Sequence, residues 1–307
     1  MKCQKDSIVR QKNGFRTFDC KTYLTFVPQM LKMKFKVFST LCVILLLLSC
    51  KREPKPISVD IPVSDVPKID YRVTGIIPHN TSFFTEGLLI YNGKFLESTG
   101  SPEELENVES IVATVDISDG KTEEKIRLDK TRYFGEGIVV LHDKLYQITY
   151  KNQKGFIYDA KTFKKLGEFG YPSKEGWGMT TDGTHVIMSD GTDMLSFLLP
   201  PEMKVVKTIR VTQNDISVRN VNELEWIKGY IFANVWMTND IIKIDPSNGK
   251  VVAKMDVSSL KHEANATWKY SEVANGIAYD STSNKIYLTG KLWPSIYRIE
   301  LIENNVQ

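Results

Sequence analysis

Two glutamates in this chain stand where a carboxylate is hard to keep. Glu86 and Glu136 each precede a glycine and open an apolar run, in TEGLLIYNGKFLEST (Thr85–Thr99) and EGIVVLHDKLYQITY (Glu136–Tyr150). An ionised carboxylate is costly to bury. A buried carboxyl with a raised pKa, in turn, can both give and take a proton. The same opening recurs three more times with other residues in the leading position. It is Trp177 in GWGMTTDGTHVIMSD, Asn222 in VNELEWIKGYIFANV and Asn275 in ANGIAYDSTSNKIYLTG. Two acids, two amides and an indole at equivalent positions would make a polar pocket if the fold brought them together. The other reading is that they are hydrogen-bonding residues that close a ring of strands.

Each copy holds a short apolar strand, a turn rich in Gly, Asp or Asn, and a second strand, which is a β-hairpin pattern. A second two-strand motif follows in VATVDISDGKTEEKIRL, GFIYDAKTFKKLGEF, LSFLLPPEMKVVKTI and IIKIDPSNGKVVAKMDV. Four strands in units of about 45 residues are the mark of a β-propeller blade. The fifth unit ends at SIYRIELI, one strand short, and the spare strand IDYRVTGII from Ile69 precedes the first unit. The sequence therefore predicts an all-β, five-bladed propeller of four-stranded antiparallel blades, its ring closed by the N-terminal strand. No Trp-Asp dipeptide marks a WD-type propeller, and no helical periodicity of useful length is present, so no helix is expected. In a propeller the first strand of each blade lies innermost, so the five leading residues should meet at one end of the channel.

The ends of the chain read differently. Lys32, Lys34 and Lys36 precede the thirteen-residue apolar run VFSTLCVILLLLS, too short to span a bilayer comfortably. It closes on Leu47-Leu48-Ser49-Cys50, which resembles a bacterial lipobox, whose cysteine is lipidated and becomes the mature N-terminus. Translation is expected to start at Met33. Residues 1–49 are thus read as leader and signal peptide, 50–68 as lipidated cysteine and proline-rich tether, and 69–307 as the propeller. The expected setting is an exported lipoprotein of a bacterial cell envelope, held to the membrane through Cys50, and a monomer. Cys3, Cys20, Cys42 and Cys50 all lie at or before the cleavage point, so the mature domain has no disulfide framework, zinc-cysteine cluster or thiol nucleophile. Residues 1–49 hold nine Lys/Arg against two Asp/Glu, which leaves 31 against 35 afterwards, a net −4. A mildly acidic domain is a poor nucleic-acid binder. GxSxG, HExxH, P-loop and EF-hand patterns are all missing. Asp190 and Asp193 in SDGTD read as turn caps rather than a cation site.

Between Pro78 and Pro294 a series of stretches resembles the glutaminyl-peptide cyclotransferases of the plant and bacterial propeller type. They are PHNTSFFTEGL, YFGEGI, KLYQITYK, YPSKEGWGM, MSDGT, NELEW, ANVWMTN, NGIAYD and TGKLWP, in the family's order. The resemblance implies an enzyme, an aminoacyltransferase that converts the N-terminal glutamine of a peptide to pyroglutamate with release of ammonia. It implies no cofactor and no catalytic metal. Glu136 in YFGEG would be the acid/base, Asn222 would hydrogen-bond the substrate amide or oxyanion, and Lys291 in TGKLWP would offer positive charge to the oxyanion. Trp177 and Trp236 would wall the pocket, Phe84 and Phe134 would narrow its entrance, and Asn275 would complete the substrate-binding rim. Two residues depart from the family pattern. Glu86 stands where Gln is usual, and could bind the α-ammonium or share a proton with Glu136. Tyr150 stands where Trp is usual and keeps an aromatic wall. His79 reads as a hydrogen-bonded turn residue. The rival reading is a non-catalytic propeller that binds a peptide or surface partner through the same pocket.

Overall fold

The computed structural model describes residues 66–302. The leader, Cys50 and all but the last residues of the tether therefore lie outside the described residues. Five antiparallel four-stranded sheets follow one another along the chain. Blade 1 holds β2 (Phe84–Tyr91), β3 (Lys94–Gly100), β4 (Ile111–Asp116) and β5 (Thr122–Arg127). Blade 2 holds β6 (Gly135–Leu141), β7 (Lys144–Thr149), β8 (Lys154–Asp159) and β9 (Lys165–Gly170). Blade 3 holds β10 (Met179–Thr181), β11 (Val186–Ser189), β12 (Met194–Leu199) and β13 (Lys204–Arg210). A small hairpin, β14 (Thr212–Gln213) and β15 (Ile216–Ser217), leads to blade 4. That blade holds β16 (Val221–Ile227), β17 (Tyr230–Val235), β18 (Asp240–Ile244) and β19 (Val251–Asp256).

Blade 5 is shared between the two ends of the described chain. Its strands β20 (Ala274–Asp280), β21 (Lys285–Gly290) and β22 (Ser295–Ile302) are completed by β1 (Asp70–Pro78), which runs antiparallel to β22 from Asp70 opposite Ile302 to Pro78 opposite Ser295. The innermost strands β2, β6, β10, β16 and β20 each touch the next, and β20 touches β2, so the ring is closed.

The packing follows from the two-residue period of a strand. In β3, Phe95 enters the core between blades 5 and 1, and its neighbour Leu96 enters the core between blades 1 and 2. Leu145 and Tyr146 in β7 divide in the same way, as do Val186 and Ile187 in β11, Ile231 and Phe232 in β17, and Ile286 and Tyr287 in β21. Five such cores fill the five gaps between blades. Because both faces of these second strands are buried, their apolar residues stand side by side rather than alternating with exposed polar ones.

One element departs from expectation. A helix, α1, spans Ser258–Thr267 between blades 4 and 5. It has no side-chain cap, no acid in its first turn and no base in its last, and only Leu260 and Ala264 are buried along it. Those two residues dock beside Val257, Trp293 and Tyr297. Tertiary packing stabilises this helix where local signals are weak, which is why the sequence pattern does not reveal it.

Candidate active site

Four of the five leading residues sit at irregularities in the innermost strands, and Trp177 stands just before β10. In β2 the pairing with β3 jumps from Thr85 to Gly87, leaving Glu86 unpaired. In β6 it jumps from Gly135 to Ile138 across Glu136, in β16 from Val221 to Leu224 across Asn222, and in β20 from Ala274 to Ile277 across Asn275. A bulge of this kind bends the strand and re-aims a side chain. The glycines that follow have a steric role. A Cβ on Gly137 would lie 2.7 Å from the Trp177 carbonyl oxygen, and one on Gly178 would lie 2.2 Å from that of Asn222. Adjacent innermost strands approach so closely here that only glycine fits.

Glu86, Glu136, Asn222 and Lys291 gather at the floor of one cavity of about 730 Å³, and all four are buried. Lys291, carried by the turn after β21, places Nζ 2.7 Å from Glu86 Oε1 and 4.4 Å from the centre of the Phe84 ring. The other oxygen, Glu86 Oε2, accepts a hydrogen bond from Asn275 Nδ2 at 3.3 Å. Phe84 and Phe134 meet edge to face at 6.3 Å, and Phe134 lies 5.8 Å from Tyr150. Across the cavity Trp177 and Trp236 meet edge to face at 5.6 Å. The Trp177 indole donates to Glu175 Oε2 at 3.0 Å.

The two acids titrate together. Burial raises Glu136 well above the ordinary carboxyl range, and the negative charge of Glu86 raises it further against the pull of Lys291. Burial raises Glu86 as well, but Lys291 and a hydrogen bond from Glu136 work against the rise. Glu136 is the more strongly raised of the two, while Lys291 holds Glu86. Asn222 Oδ1 is buried without a hydrogen-bond partner, an acceptor facing a cavity that a ligand's N–H would satisfy.

Nine of the ten residues expected in the site line this cavity, and Asn275 does not. It is fully buried behind Glu86, its amide donating to the Thr85 carbonyl at 2.8 Å as well as to Glu86. Its own Oδ1 is also without a partner. Sequence reasoning missed Glu175, whose signal was its place two residues before Trp177. It also missed Met237 and Glu272 in the cavity wall. Beneath the floor, His79 is buried against Glu97, with Nε2 3.0 Å from Oε1, while its Nδ1 donates to the Trp293 carbonyl at 2.7 Å. Thr85 Oγ1 donates to the same Glu97 oxygen at 2.7 Å. Burial works against a charge on His79, yet the Glu97 carboxylate and the Trp293 carbonyl outweigh it and hold its pKa above the ordinary histidine value. Asp190 caps its turn by accepting from the Thr192 amide and hydroxyl. Among the described residues no three His, Cys, Asp or Glu side chains form a metal-holding group.

A closed five-bladed propeller whose axial cavity holds two buried carboxyls, a lysine and aromatic walls defines a class of protein with acid/base chemistry at one mouth of the ring. Residues 41–301 match the glutamine cyclotransferase family, and the chain belongs to that family. It is 37% identical over 234 residues to a glutaminyl-peptide cyclotransferase of Arabidopsis thaliana, covering 76% of this chain and 71% of the relative. The crystal structure of Myxococcus xanthus glutaminyl cyclase superposes with a TM-score of 0.69 at 29% identity. That match covers 77% of this chain and 98% of the other.

Proposed function

We infer that this protein is a glutaminyl-peptide cyclotransferase, converting the N-terminal glutamine of peptides and proteins to pyroglutamate and ammonia. The observation that carries the mechanism is the buried Glu86–Glu136 pair beside Lys291 at the floor of an aromatic cavity. The glutamine side chain lies between the aromatic walls, and its α-amine reaches the acid pair. The amine nitrogen attacks the γ-carboxamide carbon, forming the ring C–N bond. The acid pair takes a proton from that nitrogen and gives one to the departing amide nitrogen, which leaves as ammonia. The pair ends with as many protons as it began, so no outside acid or base is consumed. Asn222 Oδ1 accepts an N–H of the substrate, and the Lys291 ammonium faces the charge that develops on the carboxamide oxygen. Cavity walls of Trp177, Trp236 and Tyr150 keep water away from both charges.

The lipobox-like Leu47–Cys50 and the proline-rich tether support a lipid-anchored, exported protein of the cell envelope. The direct test is ammonia release from a Gln-initiated dipeptide by residues 51–307. The wild type releases ammonia, and failure to do so would sink the enzyme reading. Mass analysis of the mature protein tests the anchor: a diacylated or triacylated Cys50 is the expected N-terminus, and an unmodified leader would remove it.

A further inference from the structure

The cavity does not end at its own rim. A groove of about 460 Å³ lies against it, lined by Leu105, Val108, Trp268, Tyr270 and Leu292 among others. The two spaces share a wall at three places in the chain. Glu104 lines the cavity and Leu105 the groove, Lys291 lines the cavity and Leu292 the groove, and Glu272 lines both. At this size the groove falls within the range of about 300–1,000 Å³ typical of ligand pockets.

Its aromatics are held out on purpose-built backbone. Trp268 is 37% exposed and Tyr270 56% exposed, their rings 5.1 Å apart and edge to face. The turn that carries them is braced at several points. The Trp268 amide donates to the Ala264 carbonyl, the Ser271 amide and hydroxyl donate to the Trp268 carbonyl, and Lys261 Nζ donates to the Ser271 carbonyl at 2.6 Å. The opposite side is equally fixed, by the Leu105 amide on the Pro102 carbonyl and the Val108 amide on the Leu105 carbonyl. Rigid aromatics over an apolar floor are the ingredients of a binding hot spot.

We propose that this groove binds the stretch of polypeptide that follows the substrate's N-terminal glutamine, with Trp268 and Tyr270 receiving a large apolar or aromatic side chain. The proposal rests on the cavity being the cyclisation site. A glutamine seated there must leave its carbonyl side pointing out of the mouth. The groove is the apolar surface continuous with that mouth at Glu272. The protein would therefore favour longer chains with an apolar residue shortly after the glutamine over bare dipeptides.

The test measures ammonia release from Gln-Ala and from Gln-Ala-Ala-Ala-Ala peptides carrying one Phe at each position in turn. Wild type is compared with the Trp268→Ser/Tyr270→Ser and Trp268→Phe/Tyr270→Phe double variants. Wild type should show kcat/KM raised by about tenfold, equivalent to about 1.4 kcal/mol, when Phe occupies one preferred position. The serine variant should lose that preference while turning over Gln-Ala at the wild-type rate, which also shows that it is folded. The phenylalanine variant should keep it. A flat profile in the wild type, or a preference that survives the serine variant, overturns the proposal while leaving the cyclase reading intact. A wild-type dimer that the serine variant dissolves would assign the groove to a second copy of this chain and overturn it too. No release from any peptide would overturn the reading of the cavity, and this proposal with it.

Discussion

At Glu86 a carboxylate faces a cation and a second carboxyl, and the two neighbours pull on the site in opposite directions. Its charge raises Glu136, whereas Lys291 lowers it. Replacing Glu86 with glutamine removes the like charge and frees Lys291. Activity that needs a protonated Glu136 is held below the folded-state pKa and lost as pH rises through it. In Glu86→Gln, therefore, the alkaline limb of kcat against pH should move to lower pH, read by ammonia release across a buffer series. A limb that stays put would mean that the two acids do not share a proton. Glu136→Gln is expected to lower kcat by about 10²–10⁴, the usual weight of a general acid/base, with a much smaller change in KM. Both acids are visible in the sequence as the repeated Glu-Gly opening. The Lys291 partnership is not, because 205 residues separate the two and only ring closure joins them.

Within the elements, the bulges and the glycine contacts do the positioning. A methyl group on Gly178 would meet the Asn222 carbonyl oxygen at 2.2 Å, so Gly178→Ala must push apart β16 and the segment that leads into β10. It should cost about 1–3 kcal/mol in overpacking, measured by urea unfolding, and should raise KM by displacing Asn222. The repeated Gly of the hairpins was legible, but the reason for it was not, since a bulge is a feature of paired backbones rather than of one strand. His79 is a similar case. The sequence marks it as a hydrogen-bonded turn residue. The structure adds that it ties the end of β1 to Glu97 in β3 and, through the Trp293 carbonyl, to the turn that carries Lys291. His79→Ala leaves Glu97 buried without its histidine hydrogen bond and should destabilise the fold by about 1–3 kcal/mol. The helix α1 escaped notice for the opposite reason. Its local signals are weak, and its place depends on a core between blades 4 and 5 that no window of sequence displays.

For the whole molecule, closure and axial charge set the stability. The count of blades and the donated β1 strand were legible because each blade repeats one pattern and the last lacks one strand. A chain begun at His79 lacks β1, which exposes the edge of β22 and removes Ile77 from the core between blades 5 and 1. It should lose cooperative unfolding and aggregate through that edge, whereas a chain begun at Pro67 should not. The axis carries a second constraint. Besides Glu86 and Glu136, the buried Glu223 accepts from the amides of Leu88 at 3.2 Å and Ile277 at 2.9 Å, bridging the innermost strands of blades 1 and 5. Glu225 accepts from the Tyr279 amide at 2.7 Å and lines a cavity at the opposite mouth. Burial raises all four, with Glu225 pushed up to about 8 from an ordinary 4.5. The folded protein thus holds these protons more tightly than the unfolded chain does. The stability they contribute is fully present below about pH 4.5 and is lost as pH rises, for Glu225 through about 8. His79, also raised, acts in the same direction. The urea midpoint should therefore fall between pH 5 and pH 9, and Glu225→Gln, whose amide oxygen can still accept from Tyr279, should flatten part of that fall. A midpoint that rises over this range would show that the axial acids are ionised in the folded ring and stabilised by partners stronger than those of Glu223 and Glu225.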